Sequence, residues 1–502
     1  MSISINHMAA TPSSIPNTSG AHSAATRSTP ATGSAWTHDT WTTHYENVLG
    51  TSMQVTLRAA GQVQAAAAEA ALLAEIDRHD LLLSAWRPES ELNQWLATRD
   101  TAEKVSPELF EVLALFDEWR DRTTGAIDAS AEAAIQEWKV ASREQRQLTP
   151  GDLTRTVEAM QRPHWKLDAE TGTATHISAT PLVLASFTKS YIADRAVDAA
   201  LAAGASGAML NIGGDVVVRG ELTQMVNLVD PFSHSENDAP MEYVVVRDRS
   251  VATSGSYRRG PHIIDPRTAQ PVSHIASATV ISRQPSTAGA LATAFSILSP
   301  TETRVVAATQ PGTEYLLVTS DGERIASDGW NSVQSAKAKK PTPASARDAW
   351  NQAYELAIDL EITTQEGRRS HRPYVAVWIE NENHESVRTV ALWFDGKMRY
   401  LPDMREWWHG NQVRVGAGHA DITQTVTSAT RSPGKYTLKW DGKDDEGKLL
   451  KPGKYTVCIE AAREHAGNQT IRQELNFNGT PEQQTIPAGA ELGPVSLDYR
   501  KQ

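Results

Sequence analysis

Apolar and polar positions along this chain follow two different rhythms, and the change between them falls at residues 334–350. In the first part both helical and strand periods occur. Residues 53–57, Met-Gln-Val-Thr-Leu, alternate as a strand with one buried face does, whereas residues 65–83 carry Ala, Leu and Ile at helical spacing. The same spacing predicts helices over 107–123, 190–203 and 288–298. Gly204-Ala-Ser-Gly207 should stop the second of these, because glycine accepts the left-handed backbone that closes a helix. Strands are predicted at 208–212, onward from Val216, and at 225–229, 243–247, 278–281 and 315–319. Helices mixed with strands of antiparallel type read as an α+β domain.

Beyond residue 350 nearly every segment alternates with period two: 354–362, 374–380, 386–393, 434–440 and 453–461. Turn clusters such as Asp441-Gly-Lys-Asp-Asp-Glu-Gly447 separate them. Several short strands with such turns predict an immunoglobulin-like β-sandwich. Between the two regions, Ala336-Lys-Ala-Lys-Lys-Pro-Thr-Pro-Ala344 has the composition of a linker. Residues 1–36 are rich in Ser, Thr, Ala and Pro without a hydrophobic repeat, and are expected to form a disordered tail. The expected organisation is therefore tail 1–36, α+β domain 37–333, linker 334–350 and β-domain 351–502.

Composition narrows the function classes. A chain of 502 residues exceeds one ordinary core, which supports at least two domains. A formal charge of −12 opposes a general nucleic-acid binder, which needs clustered Lys and Arg to neutralise phosphates. No stretch approaches the roughly 20 apolar residues of a membrane helix. Cys458 is the single cysteine, so neither an intrachain disulfide nor a cysteine-based metal centre can form. The opening residues carry neither the basic start nor the apolar core of an export signal.

The densest chemistry lies between Val251 and Ala294. It contains Thr253-Ser254-Gly255, then His262-Ile263-Ile264-Asp265-Pro266-Arg267-Thr268, then Ala288-Gly289-Ala290-Leu291-Ala292-Thr293-Ala294. Singly, each feature has a bland explanation. Gly213-Gly214-Asp215 after a strand is ordinarily a tight turn. Asp265-Pro266 opens turns readily, Lys189 suits a solvated helix start, and Ala292-Thr293 suits helix packing. Only their joint order points to a ligand.

That order resembles the FAD:protein FMN transferase family, the ApbE-like flavin transferases, across roughly residues 45–330. The blocks are Gly50-Thr51-Ser52-Met53, Ser84-Ala-Trp86-Arg-Pro-Glu-Ser90-Glu91-Leu92, Thr124-Gly125-Ala126-Ile127-Asp128 and Phe187-Thr188-Lys189-Ser190-Tyr191-Ile-Ala-Asp194. They continue with Asn211-Ile-Gly213-Gly214-Asp215, Asp230-Pro231, Thr253-Ser254-Gly255 and His262 to Thr268. The resemblance implies that FMN passes from FAD to a Thr or Ser hydroxyl of a target protein, with Mg²⁺ near the pyrophosphate and AMP leaving. It implies a flavin site lined by Met53, Trp86, Ala126, Ile127, Asp128, Ala185, Tyr191 and Ile263. It gives catalytic roles to His262, as base or orienting group, and to Lys189, beside phosphate. The metal would be held at Thr188, Ala292 and Thr293.

The departures fall on the metal region. Gly289 stands where the family has its metal-binding aspartate, and Mg²⁺ is usually held through one or two carboxylates. Pro261 replaces the first residue of a His-His pair, Ala269 replaces glycine, and Ser186 and Ser190 replace glycines around Lys189. The expectation is a weakened Mg²⁺ site. Two alternatives to the transferase remain: an FAD-binding carrier or sensor without catalysis, and an FAD pyrophosphatase. The family resemblance also implies a location outside the cytoplasmic membrane.

The C-terminal region resembles an uncharacterised β-domain fused behind such transferases, with Tyr374 to Trp378, Trp407-Trp408 and Trp440 to Gly447 as its recognisable elements. Partner binding is the expected role. Acidic residues around Asp444 suit a solvated hairpin better than a Ca²⁺ loop. Gln424-Thr-Val-Thr427-Ser428-Ala429-Thr430 is similar to an FMN acceptor pattern with Gln424 in place of aspartate, which makes Thr430 a candidate acceptor.

Overall fold

The computed structural model describes residues 40–233, 235, 240–255, 263–335, 350–363, 373–394, 398–416, 427–428, 430–431, 433–463 and 468–502. The expected tail 1–36 and most of the expected linker lie outside them. The chain divides into two units: residues 40–226 with 244–334, and residues 227–243 with 335–502. The first expected domain is thus interrupted by a short stretch grouped with the second.

The first unit is built on one eight-stranded sheet: β1 Thr40–Val48, β2 Thr51–Arg58, β3 Gly207–Ile212, β4 Asp215–Gly220, β5 Arg249–Gly255, β6 Ile275–Ser282, β7 Glu314–Thr319 and β8 Arg324–Ala326. Chain order is spatial order, and every neighbouring pair is antiparallel. Each strand of this sheet therefore finds its partner in the next one along, through hairpins, through helical excursions or, between β4 and β5, through a separate two-stranded sheet of Gln224–Leu228 and Glu242–Val246.

Five helices matter for the site: α1 Gln62–Leu83, α2 Pro107–Arg122, α3 Thr188–Ala202, α4 Pro285–Phe295 and α5 Pro300–Ala308. Helix α3 packs on α1, on α4 and on strands β3 and β4, while α4 also packs on β5 and β6. Such a position requires burial on several sides. Accordingly α3 buries Thr188, Ser190, Tyr191, Ile192, Ala193, Ala196, Val197 and Ala200, and α4 is almost wholly buried. Small residues in α4, Ala288 to Ala290, Ala292 and Ala294, let it approach its neighbours closely. Pro285 starts α4 at a position where no amide hydrogen is needed. Gly204, at φ +106°, follows the end of α3 as the sequence predicts.

The second unit is a two-sheet sandwich. One sheet runs in the order Gly434–Trp440, Tyr354–Ile362, Val495–Lys501 and Glu482–Ile486. The other runs Thr427–Ser428, Ser386–Trp393, Tyr374–Glu380, Gly453–Ala462 and Asn468–Phe477. Leu356, Ile358 and Leu360 of the first sheet share a core with Val375, Val377 and Ile379 of the second. Alternate residues Tyr374, Ala376 and Trp378 face a separate cluster with Trp407, Met404 and Leu401. All seven residues of Tyr374–Glu380 are buried for this reason, a helix lying on what would otherwise be the outer face. That helix, Arg405–Gly416, corrects the all-strand expectation. A second correction concerns the linker, which cannot extend to residue 350. Trp350 is buried, 4.8 Å from the Trp440 ring and 4.9 Å from Phe477.

Candidate functional site

Three chain segments meet around the start of α3. The first is the turn joining β3 to β4, where Gly213 and Gly214 take φ +64° and +100°, values that favour glycine. Asn211 Oδ1 accepts from the Gly214 amide at 3.2 Å, and the Gly213 amide donates to Ser52 O at 3.1 Å. The turn thereby lies against the start of β2, where Met53 pairs with Ile212. The second segment is α3 itself, whose Ser190 Oγ donates to Asp215 Oδ2 at 2.7 Å. The third is α4, which brings Gly289 against Ser190 and Phe187. Thr293 Oγ1 of α4 also donates to Ser186 O, at 3.3 Å.

Electrostatics in this cluster are set by burial. Desolvation pushes the Asp215 carboxyl above its ordinary range, opposed by the Ser190 hydroxyl and by the positive charge of Lys189. Lys189 is part-buried on the first turn of α3, where free amides and the helix dipole add positive potential. Asp194, one turn on, pairs with Arg219 at 2.8 Å and fastens α3 to β4.

The residues expected to line a flavin separate into three groups. Trp86, 88% exposed, and Ala185 are open to solvent. Met53, Ala126, Ile127 and Ile263 are buried in the domain core. Tyr191 and Asp128 are held by protein partners. Tyr191 donates to Glu111 Oε2 at 2.7 Å, and its ring lies 3.5 Å from the Arg195 guanidinium carbon. Asp128 pairs with Arg120 Nε at 3.0 Å and accepts from the Ser130 amide and hydroxyl at 2.8 and 2.6 Å.

Asp128 also lines a cavity of about 220 Å³ with Arg120, Asp117, His164 and Trp165. Sequence reasoning missed these neighbours, since only packing reveals that residues 117–120 and 163–165 converge. Burial lowers the pKa of His164 and raises that of Asp117. His164 Nε2 meets Met160 O at 3.0 Å, while its buried Nδ1 has no partner.

The segment after His262 is firmly held. Arg267 bonds both oxygens of Asp265 and reaches Glu302 of α5 at 2.7 Å. Trp138 Nε1 donates to Ala269 O at 2.8 Å. Ala269 has φ +55°, a conformation glycine adopts without cost, and this accounts physically for glycine as the family residue there. His262 and Pro261 themselves lie outside the described residues.

The expected metal position does not fit a magnesium site. Gly289 offers no carboxylate, and a side chain there would start 2.5 Å from Ser190 Oγ. Thr188 Oγ1 donates to Leu184 O and Ala292 O accepts from Ser296 N at 3.2 Å, so what these positions offer is neutral oxygen without the carboxylate charge that usually holds Mg²⁺. Among the described residues no three His, Cys, Asp or Glu side chains form a metal-holding group. Thr430, the expected acceptor, is buried, and most of its similar segment lies outside the described residues. In the acidic turn, Asp444 Oδ1 accepts from the Glu446 and Lys448 amides at 3.1 and 2.8 Å, and Asp445 pairs with Arg414 at 2.8 Å.

One eight-stranded antiparallel meander, backed by helices whose ends meet a glycine turn and accompanied by small two- and three-stranded sheets, defines the class of the first unit as an α+β domain. Within that class the chain belongs to the ApbE family, whose model matches residues 49–317, more than half its length. Residues 355–494 match a second family, described as a predicted periplasmic protein. A protein from Klebsiella pneumoniae named FAD:protein FMN transferase is 27% identical over 325 residues, covering 61% of this chain and 90% of its own. A Treponema pallidum protein of the same name is 26% identical over 317 residues, covering 57% and 86%. The ApbE crystal structure from Thermotoga maritima superposes with TM-score 0.52 at 22% identity, over 59% of this chain and all of that one. Apo flavinyl transferase ApbE from Pseudomonas stutzeri gives 0.50 at 20%, over 60% and 97%. These structural likenesses establish the fold.

Proposed function

We propose that this chain moves FMN from FAD to a Thr or Ser hydroxyl of a separate protein. In that reaction the hydroxyl oxygen attacks the riboflavin-side phosphorus, the bond to the bridging oxygen breaks, and AMP carries that oxygen away. The observation that carries the reading is the meeting of the Lys189 helix start with the Asn211 to Asp215 turn, in a chain of the ApbE family. Lys189 and the first amides of α3 would oppose pyrophosphate charge and orient it for in-line displacement. His262 is proposed to take the proton from the attacking hydroxyl. No step is assigned to Mg²⁺, because the residues present do not fit it. The second family match supports a site of action in the periplasm, with the β-domain as the partner-binding module.

The test is incubation with FAD and a Thr-bearing acceptor protein, read by intact mass and AMP release. The expected outcome is an acceptor heavier by one FMN less one water, with AMP formed in equal amount. The variant His262→Ala should be slowed by roughly 10²–10⁴-fold. AMP formed equally without acceptor would indicate hydrolysis instead. The misfit of the metal position favours one further reading, an FAD carrier that performs no transfer, which tight FAD binding without AMP would support.

A further inference from the structure

Gly289 and Ser190 depart from the family pattern at two places far apart in sequence, yet the fold sets them in direct contact. A β-carbon built on Gly289 falls 2.5 Å from Ser190 Oγ, 3.1 Å from Ser190 Cβ and 3.4 Å from the Phe187 Cα. Turning the hydroxyl aside would relieve the first contact only. It would also break the 2.7 Å bond to Asp215 and leave that carboxylate without its neutral donor. The tight contact at Ser190 Cβ would remain, with α3 and α4 both anchored in the core. A side chain at 289 and a hydroxymethyl group at 190 therefore compete for one volume.

We propose that Ser190 and Gly289 are a single interlocked replacement: the serine, anchored on Asp215, occupies the space that a carboxylate on α4 would need, and the domain binds its dinucleotide without a divalent cation held by α4. This rests on the reading that the domain binds FAD. The remaining side-chain oxygens at the position are neutral hydroxyls, Thr293 Oγ1 donating to Ser186 O and Thr188 Oγ1 to Leu184 O, and neither replaces the missing carboxylate charge. The charge that a cation would offset is left to Lys189 and the α3 amides.

The intact chain should be compared with Ser190→Gly, Gly289→Asp and the double variant, by thermal unfolding, by FAD titration in EDTA or Mg²⁺, and by Mn²⁺ binding in electron paramagnetic resonance. Gly289→Asp alone should lower the Tm by roughly 3–8 °C, and adding Ser190→Gly should recover most of the loss. FAD affinity of the unaltered chain should change less than about twofold between EDTA and Mg²⁺. The double variant should bind Mn²⁺ and gain roughly tenfold in FAD affinity when a cation is added. Equal stability of Gly289→Asp and the unaltered chain, or weakening of the unaltered chain's FAD binding by roughly tenfold or more in EDTA, would overturn the proposal. Absence of FAD binding under both conditions would instead reject the FAD reading, with the Tm comparison still deciding the interlock. Should Gly289→Asp fail to fold, recovery of folding in the double variant supports the interlock, and failure of both variants leaves the EDTA comparison on the unaltered chain to decide.

Discussion

Tyr191 belongs to a block that resembles a flavin site, but its local chemistry is that of a strut between helices. Its hydroxyl reaches Glu111 of α2, Arg195 lies over its ring, and the Arg195 guanidinium returns to Glu111 at 2.8 Å. Burial and the Glu111 bond raise the pKa of its phenol well above the ordinary range, so it stays neutral at any working pH. The substitution Tyr191→Phe keeps the ring and loses one hydrogen bond, so it should cost about 1 kcal/mol in chemical denaturation. FAD affinity should stay within about twofold if the residue only braces α3. A loss of affinity several times larger, without loss of stability, would return Tyr191 to the ligand site. Blocks such as Asn211 to Asp215 could be read because a glycine pair after a strand leaves few conformations, whereas the Ser190 and Gly289 contact depends on how two helices pack.

At the scale of elements, alternation was most informative where a strand has two distinct faces. Four sandwich strands, Tyr354–Ile362, Tyr374–Glu380, Ser386–Trp393 and Gly434–Trp440, start and stop where the period-two pattern does. The helix Arg405–Gly416 carries a weak signal in the sequence because it contains Gly410, a poor helix former, and Trp407 is among its few core-facing residues. Strand β5 is similarly hidden, since Thr253 and Ser254 belong to a segment whose residue order points to a ligand. Their hydroxyls instead bond across strands and to α4's end, as Thr253 does with Thr279 at 3.0 Å and Ser254 with Ser296 at 3.3 Å. A sharper element-level dependence concerns Gly442, with φ +74° and an implied β-carbon 2.1 Å from Trp350 Cδ2. Gly442→Ala should destabilise the sandwich by roughly 2–4 kcal/mol through backbone strain and displacement of Trp350. Tryptophan fluorescence during denaturation would report it, and FAD binding should be retained.

For the whole molecule, acid should act first on the flavin-type domain. Burial holds the pKa of His79, His164 and His176 below the ordinary imidazole value. Once unfolded, the same imidazoles take protons below about pH 6.5, so the unfolded state binds more protons and gains relative stability. Their contribution to folding is complete above that value and declines as pH falls towards the lowered folded pKa values. The raised carboxyls of Asp117, Asp194 and Asp215 act with the opposite sign, adding stability as pH falls through their folded pKa values. Thermal melts of the intact chain should therefore show the first domain's transition falling between pH 7 and 5.5. Replacing His79 and His176 by glutamine should flatten that fall, and an unchanged slope would exclude them as its source. The order of the sheet also bears on synthesis. Strand β2 is paired on one side by β1 from the start, but its other partner is β3, and residues 59–206 must be made in between. At ordinary ribosomal speeds that interval is on the order of 10 s. During it a nascent hairpin presents an open edge, a template for a neighbouring chain until β3 closes it.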